Sequence, residues 1–421
     1  MGRIMTKTRS SKGAGGIQPA RIPRGANDKI NHAIIGLGVM GQGHVQYVLD
    51  DPQARLVGVC DVMQSRVAET LEKVGKDCRG YRDFRDMLNS ESIDVVHVVT
   101  PPHWHALHNI YALSAGCDVW AEKPMTRTIS EGTYIAAAVK LNSRVFRLNT
   151  WFRMHSPFYG LGTAVAPLKK LIQSGALGWP LTVRISAHTG FSWKASMWMG
   201  KLGLAPEPVP DGFDYDLWLG PAPYRPYTSH RVSGSFRGYW DYDGGGLADM
   251  GQHYLDPVQY LLDKDDTSPV EIEANAPWPQ HPDVVGIWGQ VYMKYADGCK
   301  IILESCEWGK DETEGKPFIE GPNGKVFKNF HTEPGYLAEL AKTLPDPEPQ
   351  ISDFNVSIRT RKKFALNEDN GNRSNILVHL ANCAIRTGRK LYFDPVELRF
   401  MDDEEANQLV EQPMRAPWVL F

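Results

Sequence analysis

The chain has 421 residues, of which 42% are hydrophobic and 23% charged, and its formal net charge at pH 7 is −3. This length is enough for two or three domains with sizeable cores, and the balanced charge gives no sign of a nucleic-acid partner. No apolar run approaches a membrane span, and the six cysteines have no regular spacing. The composition therefore predicts no membrane contact, no disulfide framework and no thiolate metal site.

Residues 1–28 are polar, basic and rich in Gly and Ser, and they lack the apolar core of an export signal. They predict a disordered tail on a cytoplasmic protein. A periplasmic location stays open if an export signal has been removed.

An apolar, β-branched run leads into Gly36, Gly38 and Gly41, and a helix-compatible segment follows. This is strand, tight turn and helix with the G-x-G-x-x-G spacing of a dinucleotide site. Gly36 allows the turn, Gly38 lets a pyrophosphate approach the backbone, and Gly41 lets helix and strand pack closely. Val39 and Met40, between the glycines, are predicted to contact the cofactor as well.

Asp61 ends the second predicted strand, twenty residues after Gly41. A dinucleotide site places an acid there to accept hydrogen bonds from the adenosine ribose, and its charge repels a 2′-phosphate. The cofactor is therefore predicted to be NAD rather than NADP, although Arg66 keeps some NADP binding open. Asp61 could also cap the helix predicted over Val62–Val74.

Buried strands and helices alternate through residues 29–150. The strands are predicted at Arg55–Cys60, Ile93–Val99, Cys117–Ala121 and Arg144–Leu148, and the later helices at His103–Ala115 and Thr126–Leu141. This order predicts an α/β domain with a doubly wound parallel sheet, whose ligand lies beyond the carboxyl ends of the strands. Thr100, Lys123 and Asn149 stand at such ends.

The pattern changes over residues 151–421. Helices are predicted at Ser156–Ile172, Leu247–Leu262, Ser374–Gly388 and Asp402–Glu411, and strands at Leu181–His188, Val270–Ala274, Gly286–Tyr295 and Lys300–Ser305. The strands alternate as half-exposed antiparallel strands do. They predict a second α/β domain with a mixed or antiparallel sheet. From Phe330 onward the chain is predicted to be helices and an irregular end that packs back across both domains.

Two stretches contain candidate catalytic residues. In Glu122-Lys123-Pro124, the lysine follows a strand where the nicotinamide of a bound dinucleotide would reach. Further on, three glycines lead into a helix on which Asp249 and His253 are four residues apart, and therefore share a face. A carboxylate beside an imidazole suits general-base chemistry. The pair also suits a metal, but no third ligand stands at a motif spacing, so no metal is predicted.

Together these motifs resemble the Gfo/Idh/MocA family of sugar and inositol oxidoreductases, in its large bacterial branch. The resemblance implies a Rossmann domain and a second α/β domain whose large, mostly antiparallel open sheet supports a homodimer or homotetramer. It implies that Lys123, Asp249 and His253 are catalytic. It places near the cofactor Thr100, Pro101, His105 and Glu122. It also implies that Arg153 faces the substrate, although the preceding residues 149–152 depart from the usual pattern.

The resulting hypothesis is an NAD-dependent enzyme that moves a hydride between a sugar, glycoside or polyol hydroxyl, C3 among the candidates, and the nicotinamide. His253 would be the base, Lys123 would hold the oxygen, and Asp249 would orient the pair. Further substrate contacts are predicted from Trp193, Trp240, Tyr242, His230, Arg231 and Arg237. One alternative is an NAD-dependent glycosidase or lyase that oxidises its sugar transiently and uses a further base, Tyr242 or His230. Another is a non-catalytic NAD-binding sensor.

Overall fold

The structure, a computed structural model, describes residues 28–150, Arg153 and residues 160–421. Apart from residue 28, the predicted disordered tail lies outside the described residues. The first four residues of the helix predicted at Ser156–Ile172 do so as well, and the described helix there begins only at Val165.

Six parallel strands form the first sheet, in the order β3-β2-β1-β4-β5-β6. The strands are β1 Ile30–Ile35, β2 Ala54–Cys60, β3 Arg79–Tyr81, β4 Val95–Val98, β5 Asp118–Glu122 and β6 Phe146–Asn149. The helices are α1 Val39–Asp50, α2 Gln64–Val74, α3 Phe84–Ser90, α4 His105–Ser114 and α5 Ile129–Asn142. The strand order changes direction between β1 and β4, which is where such sheets bind their ligands. The predicted doubly wound sheet is confirmed.

Nine strands form the second sheet, in the order β13-β12-β11-β7-β10-β9-β8-β14-β15. Its strands are β7 Thr182–Ile185, β8 Glu271–Asn275, β9 Gln290–Lys294, β10 Lys300–Glu304, β11 Ile319–Gly321, β12 Gly324–Val326, β13 Thr332–Glu333, β14 Leu391–Asp394 and β15 Arg399–Phe400. Among the strands that the structure describes here, only β7 and β10 pair in parallel, which confirms the mostly antiparallel sheet.

Eight α-helices accompany this sheet in the described residues. They are α6 Val165–Gln173, α7 Tyr215–Leu219, α8 Ser229–Val232, α9 Gly245–Leu261, α10 Tyr336–Thr343, α11 Phe354–Thr360, α12 Glu368–Thr387 and α13 Glu404–Asn407. The described helices lack the combination of length and apolar composition that crossing a membrane requires.

Strands β11 to β15 were not predicted. Each has two to four residues, and β13 to β15 lie in the part of the chain expected to be helical or irregular. They lie toward the two ends of the sheet. Such short strands are held by backbone pairing with their neighbours, and they are too short to show an alternating side-chain pattern.

A buried amide joins two helices of the second domain to the segment that follows β5 and the predicted lysine. Gln252 of α9 accepts a hydrogen bond from the Met125 N–H (2.8 Å) and donates to the Gly371 carbonyl of α12 (2.7 Å). Asn375 of α12 donates to the Thr126 hydroxyl at 2.7 Å. Because these groups are buried and fully engaged, α9 is held in a defined position relative to the end of β5.

Candidate active site

The three glycines meet different surroundings. Gly36 has φ +96°, and a Cβ there would lie 2.5 Å from the Val99 carbonyl oxygen. A Cβ on Gly41 would lie 2.0 Å from the Gly36 carbonyl oxygen, so α1 packs directly on the turn. The nearest atom to a Cβ on Gly38 is 3.9 Å away, on the Arg66 guanidinium. Gly38 therefore leaves open space beside the start of α1, the kind of cradle that a pyrophosphate requires.

Asp61 lies beside this turn. Its Oδ2 accepts a hydrogen bond from the Leu37 N–H (2.8 Å), and its Oδ1 accepts one from the Met63 N–H (2.9 Å). The residue that caps α2 is Met63, so Asp61 braces the turn rather than the helix. The Arg66 guanidinium lies 3.6 Å from Oδ2.

A cavity of about 260 Å³ extends from the glycine turn to α9. The predicted cofactor residues on its wall are Gly36, Gly38, Val39, Met40, Asp61, Arg66, Thr100, Pro101, Glu122 and Lys123. Gly41 and His105 lie behind the wall. The His105 ring nitrogens are each 2.7 Å from a carbonyl oxygen, one of Thr100 and one of Pro124, so this ring ties the end of β4 to the turn after β5.

Lys123 of the first domain and Asp249 of the second domain meet at the wall of this cavity. The Lys123 ammonium donates to the Asp249 carbonyl at 2.7 Å and to its Oδ1 at 3.0 Å. Asp249 Oδ1 also accepts from Arg237 Nε at 2.8 Å, and Oδ2 accepts from the Trp198 indole at 3.1 Å. Burial alone would raise the pKa of Asp249, but the Lys123 and Arg237 cations outweigh it and hold the pKa well below its ordinary value. Asp249 is therefore an anion that fixes the lysine.

His253 follows Asp249 by one turn of α9 and is half-buried. Burial, followed by the nearby charge of Lys123, lowers the pKa of His253 to about 3. The ring is therefore neutral at physiological pH and able to accept a proton, but a pKa of about 3 makes it a weak base in this conformation.

Arg153 and Trp193 are engaged elsewhere. The Arg153 guanidinium is buried and binds both carboxylate oxygens of Asp256 (2.8 and 2.9 Å) and Asp265. The Trp193 ring is 1% exposed, donates to the Ile185 carbonyl, and packs in the core of the second domain. Neither side chain lines the cavity in this conformation.

Apart from Arg237, the other predicted substrate contacts, His253 among them, also lie off the cavity wall, as far as the described residues show. His230 bonds the Tyr239 hydroxyl at 2.8 Å, and Arg231 is paired with Asp283. Tyr242 is fully buried against Trp218 and His103, and Trp240 is buried beneath Arg386. Of this group only Arg237 reaches the wall, through its bond to Asp249.

Sequence reasoning missed two groups at the site. Trp198 holds the second oxygen of Asp249, and nothing local in its Gly- and Pro-rich segment marks it. Asp243 lines the cavity just before α9, and burial raises its pKa to about 7. Its only signal in the sequence is its place directly before the glycine run.

A separate cluster of possible metal ligands lies outside the cavity. Ligand atoms of His188, Cys306 and Asp311 lie within 4.8 Å of one another. His188 is already paired with Asp311, and burial raises the pKa of the Cys306 thiol to about 11, so the thiol keeps its proton at neutral pH. These observations support no metal assignment.

A doubly wound domain with a dinucleotide cradle, joined through the cavity to a large open sheet, defines a two-domain dinucleotide-binding protein. Residues 30–150 match the family model described as "Oxidoreductase family, NAD-binding Rossmann fold", and residues 161–420 match "Oxidoreductase family, C-terminal alpha/beta domain". The chain therefore belongs to the Gfo/Idh/MocA oxidoreductase family, and its N-terminal domain is an NAD-binding Rossmann domain.

Two kinds of relative share part of this sequence. The inositol 2-dehydrogenase of Salmonella typhimurium (strain LT2) is 27% identical over 151 residues, covering 36% of this chain and 43% of that protein. "Glycosyl hydrolase family 109 protein 2" of Shewanella sp. (strain ANA-3) is 29% identical over 125 residues, covering 28% of this chain and 27% of that protein. The matches thus span less than half the length of these relatives.

Solved structures share the fold along nearly the whole chain. The WlbA dehydrogenase of Bordetella pertussis, in complex with NADH and UDP-GlcNAcA, has a TM-score of 0.57 and 17% identity, covering 87% of this chain and 99% of that one. Myo-inositol 2-dehydrogenase of Lactobacillus plantarum has a TM-score of 0.55 and 16% identity, covering 87% and 100%.

Proposed function

We propose that the protein is an NAD-dependent oxidoreductase acting on a secondary hydroxyl of a sugar, glycoside or polyol, with C3 of a hexose as the first position to test. The observation that carries this proposal is the 3.0 Å ion pair of Lys123 and Asp249 on the wall that also includes the glycine turn. The inositol dehydrogenases among the relatives support a polyol or sugar as substrate.

In this reaction His253, being neutral, takes the proton of the substrate hydroxyl. Lys123, held by Asp249, donates a hydrogen bond to the same oxygen and stabilises the negative charge that develops there. A nicotinamide bound in this cavity would supply the acceptor for the hydride of the carbon that carries this oxygen. A positioned base typically contributes about 10²–10⁴-fold to the rate.

The test is incubation of the full chain with NAD and a panel of glucosides, inositols and their 3-keto forms, following NADH and product release. We expect Lys123→Met to lower turnover about 10²-fold or more, because the oxygen loses its charged donor. Lys140→Met is the control, since Lys140 is exposed on α5. Turnover that survives Lys123→Met contradicts the catalytic assignment, and cofactor binding without turnover on any substrate favours a sensor.

The second candidate is an NAD-dependent glycosidase, and Asp243 favours it. Transient oxidation acidifies a neighbouring C–H, and elimination then needs a further base. Tyr242 and His230 do not line the cavity, whereas the Asp243 carboxyl does, with a pKa near 7. This candidate predicts aglycone release without net NADH, and loss of that release in Asp243→Asn. Net NADH with no aglycone contradicts it.

We also propose that the protein assembles as a homodimer or homotetramer through the open face of the nine-stranded sheet. The outer side chains of β7 to β10, such as Ile302 and Tyr292, are only half-buried in the single chain. Light scattering of the purified chain measures the assembly directly.

A further inference from the structure

Three histidines form a hydrogen-bonded line inside the Rossmann domain. His32 of β1 lies 2.8 Å from His97 of β4, through Nδ1 and Nε2, and His97 Nδ1 lies 2.8 Å from His44 Nδ1 on α1. His44 Nε2 in turn lies 2.9 Å from the Glu122 carboxylate. All three rings are at least 95% buried, and His97 stacks on Trp120. Burying three imidazoles costs free energy unless their polar nitrogens are hydrogen-bonded.

The direction of this line follows from its two ends. A neutral imidazole has one N–H donor and one acceptor nitrogen. In a row of neutral rings, each ring therefore accepts from one neighbour and donates to the next, so all the hydrogen bonds run in the same direction. His32 Nε2, the last atom, is buried without a hydrogen-bond partner among the described residues. A bare lone pair there costs less than an unmet N–H, so every ring donates toward Glu122. His44 then presents its N–H to the Glu122 carboxyl group, and this favours the ionised form because a carboxylate is the stronger acceptor.

Glu122 is held in that state from two sides. Its Oε1 accepts from His44 and, at 2.5 Å, from the Asn149 amide. Burial by itself would raise the pKa of Glu122, but His44, Asn149 and the charge of Lys123 outweigh it and lower the pKa. The carboxylate therefore places one fixed negative charge on the cavity wall.

The negative charge of Glu122 changes the net charge of the cavity wall around the end of β5. Lys123 and Arg237 are both cations, and Asp249, which binds both, cancels only one of them. Glu122 offsets the second, and the Asp243 carboxyl on the same wall, whose pKa is about 7, adds a partial negative charge at neutral pH. The nicotinamide of NAD+ is a cation and that of NADH is neutral, so a wall without Glu122 would disfavour the oxidised form.

We propose that the line His32–His97–His44 holds Glu122 as an anion, and that Glu122 makes the site prefer NAD+ over NADH. Glu122 acts here as a specificity-determining residue for the redox state of the cofactor, and the three histidines are positioning residues. The inference rests on NAD binding alone and not on the sugar reaction.

The test is the ratio of the two dissociation constants. The full-length protein is equilibrated with defined mixtures of NAD+ and NADH, and bound NADH is measured by its fluorescence, which gives the ratio even when binding is tight. In Glu122→Gln we expect the preference to move toward NADH about tenfold, because the cavity wall loses one negative charge that favours the cationic form of the cofactor. His44→Phe moves it in the same direction by a smaller factor, because Glu122 loses its donor.

His379→Gln is the matched control, since His379 is also buried but bonds the Thr126 carbonyl instead. It is expected to leave the ratio unchanged. Equal loss of affinity for both cofactor forms in Glu122→Gln, or an equal shift in the control, overturns the proposal. If Glu122→Gln does not fold, His44→Phe decides by the same criterion.

Isotope-labelled histidine spectra of the unaltered protein give an independent reading. They should show the proton on Nε2 of His44 and on Nδ1 of His97 and His32, and the reverse pattern overturns the proposal. A protein that shows the expected ratios but no sugar turnover keeps this inference and loses the proposed function.

Discussion

Asp61 makes a structural contact, and we expect it to determine cofactor specificity as well. Its two oxygens hold the Leu37 and Met63 N–H groups, and so fasten the glycine turn to the end of β2. Its side chain is 5% exposed, whereas that of its neighbour Arg66 is 42% exposed and only 3.6 Å away. The buried charge is screened less than the exposed one, so repulsion of a 2′-phosphate should dominate.

We therefore expect Asp61→Ser to shift the ratio of the NADPH and NADH dissociation constants toward NADPH by about tenfold, because the repulsion is removed while Arg66 remains. Fluorescence titration with each cofactor measures the ratio. Arg66→Ala should shift it in the opposite direction. An unchanged ratio in Asp61→Ser would show that another group excludes the phosphate.

At the scale of one element, α9 is the part that assembles the site. It begins at Gly245, which has φ +69°. At the next residue, Gly246, a Cβ would lie 2.1 Å from the Trp193 carbonyl oxygen. One face carries Asp249 toward Lys123, while Gln252 binds Met125 and α12. Because all these side chains stand on one rigid helix, a shift at its start moves the whole site.

Gly246→Ala should therefore destabilise the protein by about 1–3 kcal/mol, since backbone rather than a flexible side chain blocks the new methyl group. It should also weaken the Lys123–Asp249 pair. Thermal unfolding measures the first effect. Gly251→Ala on the same helix is the control: its Cβ would meet the Val378 side chain at 3.0 Å, so its cost should be smaller. Equal costs would contradict this account.

For the whole molecule, the cavity depends on segments far apart in the chain. Residues 212–214 hydrogen-bond to the loop after β2, and the C-terminal Trp418 packs edge-on against Trp104 with ring centroids 4.7 Å apart. The Arg85 guanidinium covers Trp418 at 5.0 Å. Phe84 and Trp104 line the cavity, so the chain end supports its wall from outside.

Trp418→Ala should cost roughly 2–4 kcal/mol of stability, because a buried ring is replaced by a cavity, and it should weaken NAD binding through Trp104. Thermal unfolding with and without NAD measures both effects. Phe421→Ala is the control, since that side chain is 60% exposed and its loss should stay within about 0.5 kcal/mol. A Trp418→Ala protein as stable as the control would show that the chain end does not support the cavity.

Local features could be predicted from the sequence because their causes are local. Gly36 and Gly41 are required by a turn and a close approach within a few residues, and the distance to Asp61 follows from the length of one strand–helix–strand unit. The parallel sheet followed from alternating strands and helices, and Lys123 from its place at a strand end. The edge strands β13 to β15 were missed for a different reason: with two to four residues each, they are too short to show an alternating side-chain pattern.

The sequence by itself determined the NAD-binding domain, the two-sheet architecture and the family, because these depend on periodicity and on motifs read over short distances. Only the tertiary structure decided that Arg153 is paired with Asp256 and Trp193 with the core, and that Asp243 lines the cavity. It alone joined His44 to Glu122 across 78 positions. For Lys123 and Asp249, which the family resemblance had already grouped, it showed the contact across 126 positions. Which polar groups meet, and which of them are buried, is set by packing between elements, and no short stretch of sequence contains that information.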